Sequence, residues 1–140
     1  KSEQIKATLV AFSPLGRSLL TDEPHNFKKA QTLNLLKENP RFLEPNLSQN
    51  IKITDVFRSL ASDMGISSAA LAIAWLLNKG NNIVPIPGTR SIGHLKSLSR
   101  GAEINLKEDE LKEIDNILPV GWAHGDRYSV NQWIGPEKYC

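Results

Sequence analysis

The sequence has 140 residues, of which 40% are hydrophobic and 23% charged, and its formal net charge is +2. That is enough chain for one domain with a buried core, and the balance excludes collagen-like, low-complexity and disordered classes. Lysines and arginines are scattered, with no basic stripe, so nothing points to a nucleic-acid partner.

Residues 7–12 (ATLVAF) form a short apolar run ended by Ser-Pro, which predicts a buried parallel strand, apolar on both faces. A Pro-Leu-Gly turn follows. Residues 18–50 are polar and broken by Pro24, Pro40 and Pro45, with a helix predicted over 27–37. So long a connection on a scaffold is often a lid or a binding loop. The apolar residues at 56, 57, 60, 61 and 64 have helical spacing, which predicts a helix over 54–64 with Thr54 as N-cap and Gly65 just past its end. Ser67 or Ser68 caps a second helix over 69–78 (AALAIAWLLN), apolar nearly all round and therefore buried, Trp75 included.

A second short buried strand is expected over 82–86 (NIVPI), although Pro85 gives up a ladder hydrogen bond. Residues 91–100 read as a helix opening directly after Gly88-Thr89-Arg90. Residues 107–118 read as a strongly amphipathic helix with acids in its first turn and a solvated charged face. Residues 120–140 are expected to be an irregular tail holding Trp122, Tyr128, Trp133 and Tyr139. Trp122 and Trp133 either pack the tail or line a substrate pocket.

Strands separated by helices pair in parallel through a crossover. Two such strands leave both outer edges open, so the segment calls for further strands, from a missing N-terminal part or another chain. The start at Lys1 fits a piece of something longer, and it equally fits mere processing. Cys140 is the one cysteine, so no intrachain disulfide forms, no zinc-ligand spacing exists, and a reducing, cytoplasmic setting is expected. The longest apolar stretch, 69–77, is too short to span a bilayer.

Two phrases carry the chemistry: Phe12-Ser13-Pro14-Leu15-Gly16-Arg17 and Ile86-Pro87-Gly88-Thr89-Arg90. Each lies at the carboxyl end of a predicted strand and offers glycine, backbone N–H groups, a hydroxyl and an arginine. That combination suits a phosphate group, as do the loops after the last two strands of a (β/α) barrel.

Around these loops the sequence resembles the C-terminal half of an aldo-keto reductase, from about Lys6 to Tyr128. The matching text is VAFSPLGRSLLT at 10–21, NPRF at 39–42, LAIAWLL at 71–77, IVPIPGTRSIGHL at 83–95, INLKEDELKEID at 104–115 and GDRY at 125–128. The resemblance implies the C-terminal part of a (β/α)8 TIM barrel, an α/β fold. Residues 7–12 would be strand seven, 82–86 strand eight, and 120–140 a tail to the single domain portion 1–140. It implies NADPH as cofactor and reduction of a small aldehyde or ketone by hydride transfer.

By the same resemblance Phe12 stacks on the nicotinamide, while Ser13, Leu15, Gly16 and Arg17 wrap the pyrophosphate. Gly88, Thr89 and Arg90 hold the adenosine 2′-phosphate, with His94 near it. Phe12 also serves packing, and His94 also reads as a solvated helix residue. Ser97 and Leu98 replace the Glu-Asn that usually contacts adenine, and Ala70 replaces a common glutamine. The catalytic Asp, Tyr, Lys and His of the family would lie before Lys1, so no catalytic residue is placed in this chain. His25 and His124 read as surface residues. The alternative is a non-catalytic remnant that binds a nucleotide, or another subunit through its open strand edges.

Overall fold

The structure, a computed structural model, describes residues 7–133. The expectations for Tyr139, Cys140 and the rest of 134–140 lie outside these residues. Strands β1 (Leu9–Phe12) and β2 (Ile83–Ile86) pair in parallel, running from Leu9 opposite Ile83 to Phe12 opposite Ile86. Asn82 joins their starts, donating its Nδ2 to Ala7 O and accepting the Leu9 N–H on its carbonyl, both at 2.7 Å. Pro85 sits opposite Ala11 and is tolerated because each strand pairs on one side only.

The strands are not buried as the sequence predicts. Leu9, Val10, Phe12, Val84 and Ile86 are each about half exposed. The cause is the strand count: two strands cover one edge each, and among the described residues no third strand joins them.

Helix α1 spans only Phe27–Gln31, shorter than the predicted 27–37. Asn26 caps it by accepting the Lys29 N–H. Thr32 ends it: its hydroxyl donates to Lys29 O at 2.8 Å, and tight three-residue turns run from there to Asn39. Helix α2 covers Asn46–Asp63 and starts well before Thr54. Its buried stripe is Leu47, Asn50, Thr54, Phe57 and Ala61. Polar Asn50 and Thr54 within that stripe conceal the helical period in the sequence. Thr54 is no cap; its hydroxyl, buried in mid-helix, donates to Asn50 O at 2.9 Å.

Gly65 follows α2 at φ +67°, the left-handed turn that releases the chain into α3 (Ser68–Asn78) at 90° to α2. Ser67 is the α3 cap. Helix α4 (Ile92–Gly101), capped by Ser91, lies on α3. Gly101 permits the close approach: a Cβ there would stand 2.6 Å from Ala70 O and 2.8 Å from Ile73 Cβ. The Ser67 and Ser97 hydroxyls bond across the same contact.

Helix α5 (Glu108–Ile117) opens with Glu110 accepting the Lys107 N–H at 2.7 Å. Its Asp115 takes the Trp75 Nε1–H at 2.9 Å and pairs with Lys79 at 2.6 Å. Trp75 is therefore only partly buried, a wall of the core with a polar tip. One apolar core joins α2, α3 and α5 around Phe57, Leu71, Leu106 and Ile114. A second, around Leu19, Ala30, Leu36, Phe42 and Leu47, lies under the long connection.

Where it is described the tail is irregular as expected, with no regular element before a single 3-10 turn, but it is not loose. Residues 122–128 form a strap over the second core, with Trp122 packed on that core, and Val130–Gln132 make a 3-10 turn. The strap is held by its main chain. Buried Asn50 bonds His124 O and His124 N–H, Asn39 Nδ2 donates to Arg127 O at 2.8 Å, and Arg41 Nε donates to Gly125 O at 3.2 Å. Gly125, at φ +85°, has no room for a Cβ, which would fall 2.8 Å from Pro40 O. Among the described residues no single helix is long and apolar enough to cross a membrane.

Candidate functional site

The loop that leaves β1 has unusual backbone. Ser13, Gly16, Arg17 and Ser18 all have positive φ, at 51°, 57°, 56° and 90°. For residues other than glycine this costs on the order of 1–2 kcal/mol each and is held only by the surroundings. Here Ser13 O accepts the Gly16 N–H at 3.0 Å, and Ser18 Oγ accepts the His25 N–H at 3.0 Å. The loop thereby turns its two sides toward two different cavities.

The larger cavity, about 1130 Å³, brings Leu15 together with Gly88, Thr89, Arg90 and His94. The β2 end supplies the glycine, threonine and arginine, and the first turn of α4 supplies the histidine. The Ser91 side chain accepts the His94 N–H at 3.4 Å, and the Thr89 hydroxyl accepts the Ser91 N–H at 3.1 Å. Arg90 and His94 are exposed, and Arg90 forms no ion pair among the described residues. A Cβ at Gly88 would meet open space, so the cavity wall there is bare backbone. Asp22 and Glu23 also line this cavity. Asp22 is already engaged, accepting Ser68 N–H and Oγ–H at 2.8 and 2.9 Å. His25, on the same wall, is held below the usual histidine range by burial and by Lys29. Ser97 and Leu98 also line it, Leu98 buried.

The smaller cavity, about 410 Å³, is lined by Phe12, Ser13, Gly16 and Arg17. The sequence-predicted residues therefore fall into two adjoining groups, divided at Leu15 and Gly16. Arg17 does not point freely into solvent. Its Nη1 donates to Arg127 O at 2.7 Å, and its guanidinium lies 4.8 Å from the Tyr128 ring centre. Burial pulls its pKa below the usual arginine value, Tyr128 works against that, and the Arg127 charge adds to it. The Arg127 guanidinium covers the Phe12 ring at 4.4 Å.

Arg41 and Arg127 line this cavity too, and the sequence assigns no role to either. Both stand in the NPRF and GDRY phrases, but nothing local in those phrases says that segments more than eighty residues apart meet.

Residues 6–119 match the family model described as "Aldo/keto reductase family". The chain belongs to the aldo/keto reductase family. It is similar to "Probable aldo-keto reductase 1" of Glycine max, at 36% identity over 120 residues, covering 86% of this chain and 34% of that protein. It is similar to "Aldo-keto reductase yakc [NADP(+)]" of Schizosaccharomyces pombe, at 29% identity over 124 residues, covering 86% of this chain and 36% of that protein. Among solved structures it resembles the glycerol dehydrogenase AKR11B4 from Gluconobacter oxydans. There the TM-score is 0.66 and the identity 26%, with 97% of this chain and 39% of that chain covered. The chain thus spans about a third of the length of the curated relatives it matches. Its fold is that of part of an aldo/keto reductase, and its family is one of oxidoreductases.

Proposed function

We propose that this chain is the cofactor-clamping portion of an NADPH-dependent aldo/keto reductase that reduces a small aldehyde or ketone, with β1 and β2 as barrel strands seven and eight. The observation that carries this reading is the larger cavity, where Gly88, Thr89, Arg90, His94 and Leu15 converge at the opening of α4. Bare glycine backbone, a helix N-terminus and an uncommitted arginine suit the adenosine 2′-phosphate. The NADP(+) in the printed name of the fission-yeast relative agrees with that choice.

Along the strained loop, Ser13, Gly16 and Arg17 would hold the pyrophosphate, and Phe12 would face the nicotinamide. Strain concentrated in one loop fits a site whose geometry is set for a ligand rather than for the chain. When bound, the cofactor supplies the hydride; this chain binds and orients it. The acid that protonates the carbonyl oxygen is assigned to the rest of the barrel, so the 140 residues alone bind cofactor without turnover. The half-exposed apolar residues of β1 and β2 fit docking of further barrel strands, or of a second copy, along the open edges. The single cysteine supports a cytoplasmic setting.

The test is titration of the chain with NADPH and NADH, followed by protein fluorescence. NADPH is expected to bind at least tenfold more tightly, and Arg90→Gln to remove that preference. Equal affinity for the two nucleotides in the unsubstituted chain overturns the 2′-phosphate assignment.

A further inference from the structure

Three arginines from three distant segments meet at the smaller cavity: Arg17 after β1, Arg41 in the long connection and Arg127 in the strap. Arginines repel one another, and half-burying them removes water that would screen the repulsion. Such a cluster normally contains carboxylates. Among the described residues none of the three forms an ion pair. Asp126 is the one carboxylate whose charge favours the Arg41 cation, against burial and the positive charges of Arg127 and Arg17, which pull its pKa down.

Holding the strap does not account for the charge. Arg17 and Arg41 each give one N–H to a strap carbonyl, and neutral Asn39 does the same for Arg127 O. A guanidinium has five N–H donors, so even with the Tyr128 side chain as a second partner of Arg17 most remain available. Among the described residues the Arg127 guanidinium makes no hydrogen bond or ion pair; it lies over the Phe12 ring at 4.4 Å and 5.7 Å from the Tyr128 ring centre. Its backbone carbonyl, not its side chain, ties the strap.

We propose that Arg41 and Arg127 form an oxyanion-binding site beside Phe12, next to the Arg17 that the cofactor reading gives to the pyrophosphate, and that the carbonyl substrate carries a carboxylate or phosphate held there. The substrate assignment rests on the cofactor reading above, which puts the nicotinamide at Phe12. A group bound beside that ring is next to the hydride donor, and the 2′-phosphate cavity lies on the other side of the loop. Forked guanidinium donors match the two oxygens of either anion.

The experiment is calorimetric titration of the unsubstituted chain with inorganic phosphate and, separately, glutarate, at fixed ionic strength against chloride. At least one is expected to bind saturably. Arg41→Gln and Arg127→Gln are each expected to weaken it tenfold or more, and Arg90→Gln to leave it unchanged. Binding that saturating NADPH abolishes overturns the substrate site, because the anion then occupies the pyrophosphate position. With NADPH present, tighter phosphate binding assigns a phosphate-bearing substrate, and tighter glutarate binding a carboxylate-bearing one. No saturable binding of either, or full binding by Arg127→Gln, overturns the site. An equal loss in Arg90→Gln also overturns it, because the anion then occupies the larger cavity. Thermal melts in chloride control for folding: Arg127→Gln is expected to melt no lower than the unsubstituted chain. Should it melt lower, Arg127→Lys takes its place, keeping the charge without the fork, and is expected to bind severalfold more weakly; unchanged binding overturns the site. Oxyanion binding without NADPH binding removes the cofactor reading and leaves the arginine site; the reverse outcome removes only the arginine site.

Discussion

Replacing Asn50 with alanine is expected to loosen the strap from the helices. Asn50 is fully buried on α2 and makes three bonds across chain segments. Its Nδ2 donates to Arg41 O at 3.1 Å and to His124 O at 3.0 Å, and its Oδ1 accepts the His124 N–H at 2.7 Å. At about 1 kcal/mol net per bond the loss is about 3 kcal/mol. Alanine recovers roughly 0.5 kcal/mol through its better helix propensity. The net destabilisation is about 2.5 kcal/mol, a large part of the stability typical of a domain. Urea denaturation measures it as a lower midpoint at an unchanged slope. Hydrogen exchange localises it, with the His124 amide losing protection before the core of α3 does. A change below about 1 kcal/mol, or an unaltered His124 amide, refutes the view that Asn50 is what joins strap, connection and α2.

Gly101→Ala is expected to destabilise by about 1–3 kcal/mol in the same assay, since its Cβ would press on Ala70 O and Ile73 of α3. Gly125→Ala is expected to release the strap without disturbing the first core, because its Cβ collides with Pro40 and Asn46 while φ is +85°; limited proteolysis near residue 125 detects it. Asp115 has its pKa lowered by its bonds to Lys79 and Trp75. A depressed carboxylate adds stability above its unfolded pKa that is lost as pH falls through the folded value. The chain is therefore expected to lose a little stability on acidification below about pH 4. The loss is at most ~1 kcal/mol for so exposed a group, and comparison of melts with Asp115→Asn isolates it.

What could be read in the sequence follows from how local each signal is. Helices α3, α4 and α5 are legible because their caps and apolar periods lie within their own spans, as at Ser67, Ser91 and Glu110. The parallel pairing is legible from the order of strands and helices. The first two turns of α2 are not, because Asn50 and Thr54 occupy core positions as polar residues satisfied by partners elsewhere in the fold. Burial of the strands is not legible: apolar runs such as LVAF state what the strands require, whereas the described residues provide only one neighbour for each. In the candidate site, Gly88, Thr89, Arg90 and His94 line one cavity, and Leu15 lines it with them although the sequence groups Leu15 with Ser13, Gly16 and Arg17. The side chain of Arg17 turns instead to the strap, and Arg41 and Arg127 join it there. Those contacts link positions 110 and 84 residues apart, beyond the reach of any local pattern.

The most direct measurement of the central claim is hydrogen exchange of the chain with and without NADPH, resolved to short peptides. Slowed exchange in both 12–17 and 88–94, with little change in α5, is the result this account predicts. Unchanged exchange in those two loops at saturating NADPH, or protection confined to other segments, would contradict it.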